Sequence, residues 1–154
     1  MVIELPQWPY LREGDGGHAV RSVQYLLRAR GYSIEVDGIF GPRTDATVRA
    51  FQRDRGLDVD GIVGPLTWGA VIIRVASGST GDAVRAVQTE LLFRHNVDGT
   101  PALEVVVDGI FGPQTDAAVR YFQELVRGSV GSFLVDGIVG PLTWQALVGP
   151  LFSD

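Results

Sequence analysis

A ten-residue segment that occurs twice constrains this chain more than any other feature of its sequence. Asp37-Gly38-Ile39-Phe40-Gly41-Pro42-Arg43-Thr44-Asp45-Ala46 reappears as Asp108-Gly109-Ile110-Phe111-Gly112-Pro113-Gln114-Thr115-Asp116-Ala117. A second segment, Asp60-Gly61-Ile62-Val63-Gly64-Pro65-Leu66-Thr67-Trp68, returns as Asp136-Gly137-Ile138-Val139-Gly140-Pro141-Leu142-Thr143-Trp144. Two ordered segments, each written twice, mark a tandem duplication of one structural unit. Each copy is itself doubled, because a Val-Arg-x-apolar-Gln segment precedes every Asp-Gly-Ile: Val20 to Gln24, Val48 to Gln52, Val84 to Gln88 and Val119 to Gln123.

The spacing between equivalent residues is 64 positions at the first helix (Ala19 and Ala83). It becomes 71 at the first turn (Asp37 and Asp108) and 76 at the second (Asp60 and Asp136). Copy two therefore carries insertions of seven and five residues, around Asn96 to Glu104 and around Arg127 to Phe133. Both are polar stretches containing glycine or proline, so they read as lengthened surface loops.

Val20, Val23, Gln24 and Leu27 fall on one helical face, and Gly31 suits the position just past a helix end. Thr44, Val48, Phe51 and Arg55 predict a second helix closed by Gly56, starting at Pro42 with Asp45 in its first turn. The Gly64-Pro65 step starts a shorter third helix through Trp68 and Val71. Copy two repeats the pattern with Val84 to Leu91, then Thr115, Val119 and Phe122, then Pro141 to Leu147. The expected fold is mainly α: two three-helix modules joined by tight Asp-Gly turns. In each turn aspartate accepts from an amide two residues on and glycine takes positive φ, with the isoleucine expected to plug the core. Glu35-Val36 and Val105 to Val107 are extended, and the pattern leaves open whether they pair as strands.

Halves of about 65 to 75 residues bury a small fraction of their surface, so the two are expected to pack together. A net charge of −5 disfavours nucleic acid, whose binding is driven by clustered cations. The 13 basic residues are all arginine, a choice that suits carboxylate recognition but is more simply explained by base composition. The absence of cysteine removes disulfides and thiolate chemistry. Met1 to Leu11 lacks the basic and apolar regions of a secretory signal, and no stretch approaches the roughly 20 apolar residues of a membrane span.

The order of these motifs, an apolar helix with Val-Gln, then Asp-Gly-Ile-Phe-Gly-Pro-x-Thr, Ala-x-Val-Arg-x-Phe-Gln, Gly-Leu and Asp-Gly-Ile-Val-Gly-Pro-x-Thr-Trp, resembles the peptidoglycan-binding-like domain family. The resemblance covers residues 11–73 and 75–149. It implies attachment to bacterial peptidoglycan, through stem peptide or glycan, and a cell-wall or extracellular location. Copy two departs from the pattern by its insertions and by having Arg127 to Phe133 in place of Gly56-Leu57. Two other readings use the same fold: a protein-interaction or structural piece of a phage or secretion assembly, and a targeting fragment working beside a hydrolase domain.

Catalysis is not expected, and neither is a cofactor or metal. His18 and His95 occupy non-equivalent places with no ligand-spaced neighbours and read as surface residues. Asp58 and Asp60 alternate like cation ligands but lack the loop and terminal glutamate of a calcium site, and read as a turn. Trp68 and Trp144 could stack on sugars, yet their place on the short third helix favours a core anchor. Gln24, Gln52, Gln88 and Gln123 lie on inner faces and are expected to bond the Asp-Gly turn backbone. Arg21, Arg49, Arg85 and Arg120 sit one step off the core face, where guanidinium forks could hold stem-peptide carboxylates or simply be solvated. The expected ligand surface is the groove beside the first two helices of each module. In copy one it comprises Arg21, Asp37, Arg43, Thr44 and Arg49; in copy two, Arg85, Asp108, Thr115 and Arg120.

Overall fold

The computed structural model describes residues 5–94 and 104–150. They form six helices, with no strand among the described residues: α1 His18–Ala29, α2 Pro42–Asp54, α3 Pro65–Val71, α4 Asp82–Leu92, α5 Pro113–Ser129 and α6 Pro141–Val148. The mainly α expectation is met, helix by helix.

The Gly-Pro steps start four of these helices, with Gly41, Gly64, Gly112 and Gly140 as N-caps and proline in the first turn. Proline has no amide to leave unsatisfied there, and its fixed φ is already helical. Helices α1 and α2 end at the predicted glycines. The amide of Tyr32 reaches back to Leu27 O (3.1 Å) and that of Leu57 to Gln52 O (2.9 Å), each across a positive-φ glycine, Gly31 or Gly56.

Arg127 stands where Gly56 stops α2. Lacking that stop, α5 runs to Ser129 and has 17 residues against 13 in α2. The insertion around Arg127 to Phe133, expected as a loop, is thus largely an added helical turn. The other insertion, Asn96 to Glu104, lies outside the described residues except for Glu104, and His95 lies outside them as well.

Glu35-Val36 and Val105 to Val107 form no strand. Instead, isolated antiparallel bridges pin the segment before each module onto its turns: Leu11 with Val63 and Gly16 with Ile39, then Val75 with Val139 and Thr80 with Ile110. Trp68 and Trp144 are fully buried, and their indole N–H groups donate to Pro9 O and Ile73 O, both at 2.8 Å. They are core anchors. Trp8 stacks on Trp68 with ring centroids 5.5 Å apart.

The isoleucines are not core plugs. Ile39 is 64% and Ile110 57% exposed, and Ile62 and Ile138 are half-buried. The residue after each one fills the core instead: Phe40, Val63, Phe111 and Val139. The backbone leaving each turn is extended, so successive side chains point to opposite sides, and the bridge fixes which of the two faces inward.

The modules pack through α1 and α4, which run antiparallel: His18 at the start of α1 meets Glu90 near the end of α4, and Arg28 at the end of α1 meets Asp82 at the start of α4. Ala19, Ser22, Ala83 and Ala86 are buried small residues on these helices and allow a close approach. Glu90 is fully buried, accepting from His18 Nδ1 (2.7 Å) and Ser22 Oγ (2.6 Å) with the Arg94 guanidinium at 3.6 Å. His18, expected at the surface, is therefore an inter-module contact, and the Phe93 ring packs beside it at 5.2 Å. Arg94 also donates to the carbonyl of Leu147, and Arg30 donates to Val71 O (2.9 Å) and Ile72 O (2.7 Å). Both arginines thereby satisfy the last carbonyls of a third helix.

Candidate functional site

The four Asp-Gly turns share one construction. Gln24 Nε2 donates to Asp37 Oδ1 (2.9 Å), Ile39 O (3.1 Å) and Thr44 Oγ1 (3.0 Å), while its Oε1 accepts from the amides of Asp37 (3.0 Å) and Gly38 (2.9 Å). Gln88 repeats every one of these bonds with Asp108, Gly109, Ile110 and Thr115. Gln123 does the same with Asp136, Gly137, Ile138 and Thr143. Gln52 bonds Asp60, Gly61, Ile62 and Thr67. A buried amide with every donor and acceptor engaged is the stable arrangement for such a group, and it ties a helix to a turn.

The aspartates are held as acceptors in these turns. The Ile39 amide donates to Asp37 and the Ile110 amide to Asp108, each at 2.9 Å. With the glutamine bonds added, these contacts keep both carboxyls below the usual aspartate pKa. Thr44 and Thr115 are buried, and their hydroxyls serve the glutamine hub and the isoleucine carbonyl. Four of the expected ligand residues, Asp37, Thr44, Asp108 and Thr115, thus support the turn from within.

The arginines close the turns from outside. A Cβ built on Gly38 would lie 3.0 Å from Arg21 Nε, and one on Gly109 would lie 2.9 Å from Arg85 Cζ. Arg49 and Arg120 lie over Gly61 and Gly137 at 2.8 Å by the same measure. A side chain at any of the four would crowd the guanidinium, and all four glycines have positive φ, which favours glycine in its own right. Arg49 is paired with Asp45 at 3.0 Å, Arg120 with Asp116 at 3.1 Å and Arg85 with Asp82 at 3.0 Å. Arg21 and Arg49 therefore cover different turns, and the structure does not join them in one groove. Arg43 is exposed in the first turn of α2.

Open grooves lie where three of the four turns, those at Asp60, Asp108 and Asp136, meet the following Gly-Pro helix start. One, of 340 Å³, runs along Asp108, Ile110, Gly112, Pro113 and Thr115. A second, of 330 Å³, lies at the second turn of module one between Tyr10, Leu57, Asp58, Ile62 and Leu66. A third, of 450 Å³, occupies the equivalent place in module two between Arg74, Phe133, Leu134, Ile138 and Leu142. Sequence reasoning missed the isoleucines and leucines that line these grooves. The signal was present: isoleucine is kept in all four units, while the true plug alternates between phenylalanine and valine. The described residues contain no cluster suited to a metal ion and no helix long and apolar enough to cross a membrane.

The family model described as "Putative peptidoglycan binding domain" matches residues 16–71 and again residues 80–147. The chain belongs to the peptidoglycan binding domain family. An uncharacterized protein of Kitasatospora aureofaciens, from the bpoA1 3′ region, is 45% identical over 73 residues, which are 47% of this chain and 53% of that one. The zinc D-Ala-D-Ala carboxypeptidase of Streptomyces albus G is 44% identical over 81 residues, 53% of this chain and 27% of the enzyme. The chain thus spans about half and about a quarter of the length of these relatives. Among solved structures, a peptidoglycan-binding protein from Clostridioides difficile in complex with glutamine hydroxamate is 38% identical, over 41% of this chain and 40% of that one, with a TM-score of 0.41.

In this pair of peptidoglycan binding domains, all four glutamine hubs fall inside the matched segments. Tyr10 and Arg74, which border the two second-turn grooves, fall outside them. The matched segments thus hold the turn framework and most of the groove walls, and one border residue of each second-turn groove precedes its segment.

Proposed function

We propose that this chain is a non-catalytic binder of bacterial peptidoglycan that acts at the cell wall and grips the polymer with two modules. The observation that carries this reading is the family match, made twice in one chain. Its contact surface is the set of grooves beside the Asp-Gly turns, each with an exposed or half-exposed isoleucine, together with the arginines that cover the turn glycines. Two sites in one chain gain avidity when both reach the same polymer. The non-catalytic reading is supported by the state of the most repeated carboxylates. Asp37 and Asp108 each accept from an amide of their own turn and from its glutamine, so these side chains are committed to holding the turn.

A second reading, a targeting piece that serves a hydrolase domain, is favoured by the carboxypeptidase relative, where the matching region is 27% of the protein. Both readings predict wall binding by the chain itself. The test is co-sedimentation of the whole chain with purified sacculi, with the supernatant assayed for soluble muropeptides. Sedimentation without release is expected. A chain that stays in the supernatant would overturn the binding reading, and released muropeptides would overturn the non-catalytic one. In the same assay, replacing Arg21 and Arg49 together by alanine is expected to weaken sedimentation if the arginine borders contribute contacts.

A further inference from the structure

The second-turn grooves of the two modules are built on an identical framework, Asp-Gly-Ile-Val-Gly-Pro-Leu-Thr, yet differ in the residues set around it. Three substitutions account for the difference: Tyr10 is replaced by Arg74, Leu57 by Phe133 and Asp58 by Leu134. In module one, Tyr10 lies against Gly64, where a Cβ would come within 2.9 Å of its ring. The groove there has Asp58 and Asp60 on its wall and no cation among its lining residues. In module two, Arg74 takes the same place beside Gly140, and the wall that held Asp58 is now Leu134.

Arg74 is exposed and makes no hydrogen bond or ion pair with the described residues, unlike Arg49, Arg85 and Arg120, which are each held by an aspartate. Phe133 is buried at the base of the groove, and Leu134 and Leu142 are exposed along it. Ser132 and Asp136 also line this groove, Asp136 in the place of Asp60, so module two has one carboxylate and an unpaired guanidinium where module one has two carboxylates. The guanidinium at one end of this largely apolar trough of 450 Å³ is complementary to a short aliphatic ligand that ends in a carboxylate. The same ligand in module one would meet Asp58 and a phenol, so like charges oppose it there.

We infer that the two grooves are not equivalent sites: the module-two groove takes the free carboxylate end of a stem peptide on Arg74, with the small side chains against Phe133 and Leu134, and the module-one groove does not accept that end. This inference rests on the wall-binding reading for the identity of its ligand. It does not follow from family membership, because Arg74 lies outside the matched segments.

The test is an amide chemical-shift titration of the whole chain with N-acetyl-D-alanyl-D-alanine and, separately, with its C-terminal amide. Shifts from the acid are expected at Leu134, Gly140 and Leu142 and not at Asp58, Gly64 and Leu66, with the amide binding at least about tenfold more weakly. Arg74→Gln is expected to weaken the acid by a similar factor and leave the amide unchanged, which also shows that the variant is folded. Equal binding of acid and amide, equal shifts in both grooves, or no effect of Arg74→Gln would overturn the inference. A chain that sediments with sacculi but ignores the acid peptide would overturn it too and leave the wall-binding reading intact. Arg74-dependent binding of the acid by a chain that fails to sediment would sustain the carboxylate site and overturn the wall-binding reading.

Discussion

Replacing Gln88 by leucine removes five hydrogen bonds at once, three donated by its Nε2 to Asp108, Ile110 and Thr115 and two accepted from Asp108 and Gly109. Leucine is close in size, so the change introduces almost no cavity, and the loss is one of polar pairing. At about 1 kcal/mol net per bond the total would be about 5 kcal/mol. Asp108 is exposed and regains water, but Gly109 is buried and its amide is left without an acceptor, a desolvation cost of about 1–3 kcal/mol. A loss of about 3–4 kcal/mol follows. For a chain of this length that corresponds to a Tm roughly 10 °C lower. Thermal unfolding followed by far-UV circular dichroism measures it. The control is Gln145→Leu, which gives up one bond to Pro6 O (2.7 Å) and is expected to cost about 1 kcal/mol. If Gln88→Leu were no more damaging than Gln145→Leu, the glutamine hubs would not hold the turns, and the account of the fold given above would be wrong.

Glu90→Ala leaves the Arg94 guanidinium buried without its carboxylate and is expected to cost about 3–5 kcal/mol in a urea melt, whereas Glu90→Leu paired with Arg94→Leu is expected to recover part of that. An alanine variant as stable as the parent would mean that the buried cluster does not brace the two modules. In acid, the turn carboxylates set the direction of the change. Asp37 and Asp108 titrate below the usual aspartate value, chiefly because the Ile39 and Ile110 amides donate to them, and Asp82 does so chiefly through Arg28. A depressed folded pKa adds stability that is present above the unfolded value near 4 and is lost as pH falls through the lower folded values. Urea midpoints should therefore decline below about pH 4, and less steeply in Asp37→Asn/Asp108→Asn, where asparagine can still accept from the turn amide. Identical slopes would refute this assignment.

How much of the structure was legible in the sequence depended on whether a feature lay within one repeat unit or between two. The helix starts at Gly-Pro, the stops at Gly31 and Gly56, the glutamine-to-turn bonds and the buried tryptophans all follow from short, fixed spacings. The direction of the isoleucine side chains does not, because it depends on how the backbone leaves the turn and pairs with Gly16 or Thr80. The extra turn of α5 could have been expected from the loss of its stop glycine at Arg127. That the modules pack together was expected from their size, but the residues that do so were hidden because, Ala19 and Ala83 aside, the copies disagree there. His18 is matched by Asp82, Ser22 by Ala86, Leu26 by Glu90 and Arg28 by Leu92. Three of these differences, at His18, Ser22 and Leu26, recur every four residues along one face, which is the mark of an interface no longer required to be the same on both sides. The proposed ligand surface was the least legible part. The repeated polar residues are consumed by the turns, and the residues that distinguish the two second-turn grooves are those that are not repeated.

The antiparallel packing of α1 on α4 has one further consequence. Each module offers the same helix to the other, so the arrangement has the symmetry of a two-fold dimer carried out within one polypeptide. An interface of that kind is closed: each face is used up by its mate, and no equivalent face is left to receive a third module. Stacked repeat proteins grow because every unit exposes at its far end the surface it covered at its near end. Here growth stops at two, and a longer array of this module would have to be assembled as separate pairs joined like beads rather than as a continuous rod.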